Sequence, residues 1–219
     1  MRIPRPLIVV LWLIAVGSVA AYAWLRYLTP APQPQEAGIQ IVVQNSAQQP
    51  APDESLPVLF KAPAFSLTDH HGRAFASDEL HGKVWIAFIF LTNCPTGACP
   101  VMVRKMAALQ ETLPDERIHF VSFSIDPQRD TPDVLAEYAR RMGGAEVSDR
   151  WHLLTGESAE QMKDLAAEMR LAVGEGWGHS TIFLLVDQQG NVRASFGNED
   201  PEGMARLRDS AEKLLAQRP

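Results

Sequence analysis

The chain has 219 residues, room for one globular domain with additional segments, and its 46% hydrophobic and 21% charged content is that of a folded protein rather than a disordered one. Its formal net charge is −6, and setting aside the N-terminal Arg2, Arg5 and Arg26 leaves 17 basic against 26 acidic side chains. A surface that acidic lacks the basic footprint a nucleic-acid partner requires, so no nucleic acid is expected among its partners.

The first element is Pro6 to Leu25, PLIVVLWLIAVGSVAAYAWL, an almost unbroken apolar run. As a helix it is long enough to cross the roughly 30 Å hydrocarbon core of a bilayer. Arg2, Arg5 and the terminal amine precede it, which holds the N-terminus in the cytoplasm and exports the rest of the chain. The alternative is a cleaved signal peptide, for which Ala21-Tyr22-Ala23 offers a small-residue site. The run exceeds the roughly 7–15-residue apolar core of a signal peptide, which favours an uncleaved anchor. Residues 1–28 are therefore expected to form a single transmembrane helix in the inner (cytoplasmic) membrane. The remainder would face the periplasm or an equivalent oxidising compartment, where disulfides can form. Residues 29–57 are rich in Pro, Gln and Ala and read as a linker; within them Ile39 to Val43, IQIVV, is either a short strand or an apolar patch.

From residue 58 to 219 strands and helices alternate. Phe65 to Ala76 reads as a hairpin turning at Asp69-His70-His71-Gly72, with both histidines exposed at its tip. Val84 to Leu91, VWIAFIFL, is a strand buried on both faces. Val101 to Leu113 has helical spacing, and Met102 and Met106 on it read as core. Ile118 to Ile125 alternates as a strand. A helix starts at Thr131 with Pro132 in its first position and runs to Met142. Trp151 to Leu154 is a short strand, and Ser158 to Met169 a helix with a possible capping box between Ser158 and Gln161. Ile182 to Phe196 forms a second hairpin, expected at the sheet's antiparallel edge, and Pro201 to Leu215 a last helix. The alternation specifies an α/β fold around a central sheet. His81, His119 and His152 show no clustering in the sequence.

Only two cysteines occur, and they are close together: Asn93-Cys94-Pro95-Thr96-Gly97-Ala98-Cys99-Pro100. They stand where a buried strand gives way to a helix. Cys99 falls near the helix N-terminus, where partial positive charge favours a thiolate. A loop this short lets the pair bridge as a disulfide, and two thiolates suit soft Cu(I). A purely structural disulfide closing four residues would stabilise the fold little, because the effect grows with loop length. Both cysteines are therefore expected to cycle between dithiol and disulfide.

Four segments resemble the SCO/SenC family of cytochrome oxidase assembly proteins: FSLTDHHGRAF, FIFLTNCPTGACPVM, FSIDPQRDTPDVLAEYA and GHSTIFLLVDQQGNV. Their order and spacing fit from about Phe60 to the C-terminus, and the N-terminal anchor fits as well. The resemblance implies a thioredoxin-like fold with a central mixed sheet flanked by helices. It implies copper, as Cu(I) or Cu(II), held by Cys94, Cys99 and His179. It also implies a role in loading, or reducing the cysteines of, the copper centre of cytochrome c oxidase subunit II, with another copper or thiol protein as the alternative partner. One departure stands out: the family motif has three residues between its cysteines and this chain has four.

His179 is preceded by Gly174, Gly176 and Gly178 and lies just before the strand Ile182 to Val186. Thioredoxin topology sets that loop beside the cysteines, so His179 would complete a sulfur-sulfur-nitrogen set suited to Cu(II). In isolation it would read as a surface histidine. Asp126 and Asp130 lie in the matching DPQRD segment. They would either orient the copper loop or simply cap the helix after them. Trp177 would shield the site or pack.

Three functions compete: a copper metallochaperone, a thiol–disulfide oxidoreductase using the Cys94/Cys99 pair, and a peroxidase. Peroxiredoxins place Thr three residues before the reactive Cys, where this chain has Leu91. Ordinary thioredoxins have Cys-x-x-Cys and a cis-proline where this chain has His179, Ser180 and Thr181. A histidine there serves metal binding and has no use in simple exchange, which ranks copper first.

Overall fold

The computed structural model describes residue 24 and residues 56–142, 148–171 and 180–217. The chain divides into two units, Met1–Ala51 and Pro52–Pro219, and the sheet and its helices belong to the second. The apolar run Pro6 to Leu25 apart from Trp24, the linker patch Ile39 to Val43, Trp177 and His179 lie outside the described residues. Among the described residues no helix is long and apolar enough to cross a membrane.

The sheet grows from two strands buried at every position, β4 (Val84–Phe90) and β5 (Ile118–Ser124). Covered on both faces, such strands favour apolar side chains at successive positions, and VWIAFIF accordingly shows no alternation. They run parallel, with Val84 opposite Ile118 and Phe90 opposite Ser124. The polar residues of β5 are buried with partners: the Trp151 indole N–H donates to the Ser122 hydroxyl at 2.9 Å.

The other strands are β1 (Phe60–Lys61), β2 (Ser66–Asp69), β3 (Ala74–Ala76), β6 (Trp151–Thr155), β7 (Ile182–Val186) and β8 (Asn191–Gly197). The sheet order is β1-β8-β7-β4-β5-β6-β2-β3. β4, β5 and β6 are parallel and the remaining pairs antiparallel, a mixed sheet. Among the described residues four α-helices accompany it: α1 (Ala98–Thr112), α2 (Pro132–Met142), α3 (Ala159–Glu168) and α4 (Gly203–Ala216). α4 packs against β4, β8 and α1, while α2 packs against β6 and α1.

The expected elements are present, with instructive differences. The β7–β8 hairpin is not the edge, because β1 pairs outside it with Phe60 opposite Val192. β1 is only two residues long, too short for any periodicity to announce it. α1 begins at Ala98 rather than Val101. Pro100 is tolerated because the first helical turn has no intrahelical use for its N–H. The capping box at α3 is half formed: Ser158 Oγ accepts from the Gln161 N–H at 3.1 Å, but the Gln161 side chain accepts from the Glu157 N–H instead of that of Ser158.

The histidines also differ from expectation. His70 is buried, and its Nδ1 accepts the Leu153 N–H at 3.4 Å; His71 alone is exposed at the tip. His119 and His152, on adjacent strands, are both buried and hydrogen-bond each other, Nδ1 to Nε2, at 3.0 Å.

Candidate functional site

The cysteine motif leaves the sheet at the end of β4. Cys94 O accepts the Gly97 N–H at 3.4 Å, closing a turn around Pro95 and Thr96. Gly97 then takes the left-handed conformation, φ 72° and ψ 3°, as the N-cap of α1. An L side chain is strained there, and glycine adopts it freely. The extra residue between the cysteines is thus absorbed by a turn ending on glycine.

Cys99 falls on the buried stripe of α1 with Met102, Val103 and Met106, all fully buried as the helical spacing required. Burial pushes its thiol well above the ordinary range, opposed by a backbone hydrogen bond from Leu91 and reinforced by the neighbouring Cys94 and Asp130. The expectation that the helix N-terminus favours a Cys99 thiolate is therefore corrected, because desolvation outweighs it.

The helix terminus serves the other sulfur. The Cys99 backbone N–H donates to Cys94 Sγ at 3.5 Å. Thr96 Oγ1 lies 3.2 Å from the same sulfur, a contact in which either atom can donate, and accepts the Ala98 N–H at 3.4 Å; toward a Cys94 thiolate the hydroxyl is the donor. Cys94 is half-buried, with a side-chain hydrogen bond between the two thiols. The pair therefore has an approachable sulfur supported by donors and a sheltered one beside it. Such asymmetry suits an attacking and a resolving cysteine.

Asp130 stands beneath this loop, fully buried. Its carboxylate accepts the Thr92 N–H at 3.0 Å, the Thr92 hydroxyl, and the Ser124 hydroxyl at 2.6 Å. Asp126 is arranged differently: its backbone carbonyl accepts the N–H groups of Arg129 and Asp130, and its carboxylate lies 3.8 Å from the Arg129 guanidinium. Of the two aspartates, Asp130 is the one that touches the loop carrying Cys94.

Tyr138, Leu135 and Ala139 on α2 are all buried. Burial raises the Tyr138 phenol above its usual range, and the charges of Cys99 and Cys94 add to the effect. Thr92 and Thr96 take part in the hydrogen bonds around the cysteine loop without any distinguishing pattern in the sequence.

β7 runs antiparallel to β4, pairing Trp85 with Val186 and Ala87 with Leu184. Its first residue, Ile182, accordingly lies at the sheet end where β4 hands over to the cysteine loop. Among the described residues no three His, Cys, Asp or Glu groups converge to hold a metal. The two cysteine sulfurs are soft donors, a set that fits Cu(I).

The SCO1/SenC family model matches residues 56–214. The SCO1 protein homolog of Bacillus subtilis is 32% identical over 144 residues, covering 62% of this chain and 73% of its own. Among solved structures, BsSco, a member of the Sco family of cytochrome c oxidase assembly proteins with an identified disulfide switch, matches with TM-score 0.65 and 26% identity over 74% of this chain and 97% of its own. Arabidopsis thaliana ScoI, solved with copper bound, matches with TM-score 0.59 and 27% identity over 72% and 99%. With a thioredoxin-like mixed sheet and a cysteine pair at its strand–helix junction, this chain belongs to the SCO1/SenC family.

Proposed function

We propose that this protein is a membrane-anchored copper chaperone and thiol–disulfide protein that assists assembly of the copper centre of cytochrome c oxidase. The observation that carries the reading is the hydrogen-bonded neighbourhood of Cys94 and Cys99 at the β4–α1 junction. Copper is cargo here: the two sulfurs take Cu(I), and His179 adds the nitrogen that Cu(II) needs. The copper-bound Arabidopsis relative and the assembly role attributed to BsSco support this assignment. Asp130 positions the Cys94 loop through Thr92, and Asp126 shapes the turn that presents Asp130. The partner is subunit II or another copper or thiol protein.

The second reading is a disulfide reductase without copper delivery, favoured by the approachable Cys94 and sheltered Cys99. Cys94, as thiolate, attacks a partner disulfide and forms a mixed disulfide, releasing one partner sulfur. Cys99 loses its proton and attacks Cys94 Sγ, closing the Cys94–Cys99 disulfide and releasing the second partner sulfur. Two electrons pass to the partner, and the two protons end on its thiols.

We further infer that residues 1–28 anchor the chain in the inner membrane, residues 29–57 act as a spacer, and residues 58–219 face the periplasm or an equivalent compartment. The apolar run behind Arg2 and Arg5 supports this. Membrane fractionation and N-terminal sequencing of the mature protein test it: a mature start at Trp24 would remove the anchor, and intact cytosolic protein the export.

Anaerobic titration of the reduced full-length chain with Cu(I) and Cu(II), with Cys94→Ser/Cys99→Ser as control, tests the copper reading. One equivalent bound by the wild type and none by the control is expected. If the wild type binds no more than the control, the reductase reading replaces it.

A further inference from the structure

Three buried histidines take no part in the cysteine site: His119 on β5, His152 on β6 and His70 in the turn after β2. They meet where the β2–β3 hairpin docks on the rest of the sheet. The docking ladder is short: Thr68 pairs with Thr155 and Asp69 with Leu154, and β2 ends there. The N–H of Leu153, the neighbouring residue on β6, is donated to His70 Nδ1 at 3.4 Å, so an imidazole continues what the ladder no longer supplies. Behind it, Phe75 of β3 lies against the His152 ring, with centroids 4.3 Å apart. His152 Nε2 is in turn hydrogen-bonded to His119 Nδ1 at 3.0 Å.

These contacts differ in what one proton does to them. A neutral imidazole has one donor and one acceptor nitrogen, and an imidazolium has two donors. The His119–His152 pair keeps its bond with one added proton, because one ring still accepts. His70 does not: a proton on Nδ1 sets donor against donor at the Leu153 N–H. Asp69 is the carboxylate that acts on His70, and it is already engaged. It accepts the N–H groups of His71 and Arg73 at 2.9 and 2.8 Å and pairs with the Arg73 guanidinium at 2.9 Å. The other charged groups acting on the three rings are basic: His71 and Arg73 beside His70, Lys83 ahead of β4 and Arg150 ahead of β6.

We propose that His70 is an acid-sensitive latch, holding the β2–β3 hairpin on β6 while its Nδ1 is unprotonated and releasing it when that nitrogen takes up a proton. The inference is independent of the copper and thiol reading. Release breaks the Leu153 bond and leaves the two-pair ladder and the Phe75 contact to hold the hairpin. Once the hairpin lifts, β6 becomes a sheet edge with unpaired N–H and C=O groups. Burial above all lowers His70 from 6.5 to about 4 in the folded chain. The latch is therefore fully closed above about 6.5 and is lost as pH falls toward about 4. The cysteine loop keeps its own anchor, the Asp130 bonds to Thr92 and Ser124.

Amide hydrogen exchange in the full-length chain tests this, read as protection factors so that the pH dependence of intrinsic exchange cancels. Between about pH 7.5 and 5 the Leu153 amide should lose at least about tenfold in protection. Dilute urea separates local release from global unfolding, because its effect scales with the surface exposed. Exchange at Leu153 should scarcely respond to urea, while exchange at the buried Met102 and Met106 of α1 should rise with it. His70→Asn places an amide oxygen close to the position of Nδ1 and cannot take up the proton, so its Leu153 protection should stay nearly level over the same pH range. His71→Asn, at the exposed neighbour, should keep the wild-type fall. A Leu153 amide that follows urea as Met102 does, or a His70→Asn chain with the full wild-type fall, overturns the inference. The urea comparison needs only the wild type, so the inference stays refutable should His70→Asn not fold.

Discussion

Asp130 holds Thr92 by both its backbone N–H, at 3.0 Å, and its hydroxyl, across 38 residues of sequence. Thr92 is two residues before Cys94, so a buried carboxylate on one loop fixes the start of another. Ser124 adds a further donor at 2.6 Å. The groups that reach this carboxylate are all donors, so an amide in its place turns one acceptor into a clash of donors. Asp130→Asn is expected to cost about 1–3 kcal/mol, lowering the melting temperature by several degrees. Urea unfolding checks the energy. Unaltered stability would mean that the Thr92 bonds contribute nothing net.

Alkylation should separate the two cysteines. Cys94 is half-buried with two donors on its sulfur, whereas Cys99 is fully buried and its thiol is raised by desolvation. In the native reduced protein, iodoacetamide should label Cys94 at least about tenfold faster than Cys99, and both equally in denaturant. Mass spectrometry of timed samples gives the two rates. Faster labelling of Cys99 would reverse the proposed order of attack.

Much of this molecule is legible in its sequence, and the failures share a cause. β4 and β7 are readable because the sheet interior demands apolar residues along their whole length, and β5 because its residues alternate. The strand–turn–helix setting of Cys94 and Cys99 is evident from the adjacent pattern. What sequence spacing cannot reveal is pairing between strands. His119 and His152 are 33 residues apart and meet only because β5 and β6 lie side by side. Tyr138 lies on the helix expected from Thr131 to Met142, and no residue spacing announces its buried hydroxyl, unpartnered among the described residues. His70 sits at a turn, where exposure is the default, yet Leu153 on the neighbouring β6 claims its nitrogen. Desolvation of Cys99 likewise depends on what α1 packs against, not on its distance from the helix start.

Acid should destabilise the domain through these histidines. Burial holds His70 and His119 down at about 4 and His152 at about 3, from an ordinary 6.5. Their pKa is depressed in the folded state, so below pH 6.5 the unfolded chain binds protons that the native chain refuses. Stability is then complete above about 6.5 and falls as pH drops toward about 4 and 3. Each proton taken up contributes a slope of about 1.4 kcal/mol per pH unit. Melting temperatures between about pH 7.5 and 4 should therefore fall steeply. His119→Leu/His152→Leu, which removes both partners together, should flatten that fall. A double variant with the wild-type slope would assign the acid sensitivity to other groups.

His179→Ala should separate the two oxidation states of copper. The strand after it, β7, is aligned antiparallel to β4 with Ile86 opposite Leu185 and Ala87 opposite Leu184. Ser180 and Thr181 precede β7, so the chain comes to it from the sheet end at which Leu91 leads into the cysteine loop. An imidazole supplied there would join two sulfurs as the borderline ligand that Cu(II) favours, while Cu(I) is satisfied by two thiolates alone. The variant should lose the coloured Cu(II)–thiolate band and at least about tenfold in Cu(II) affinity, with Cu(I) affinity changed less. Absorption titration with Cu(II) and competition for Cu(I) against a colorimetric chelator give the two numbers. Equal losses for both ions would point to a collapsed cysteine loop instead of a missing ligand. Cu(II) binding with wild-type colour would show that a group other than His179 supplies the third donor.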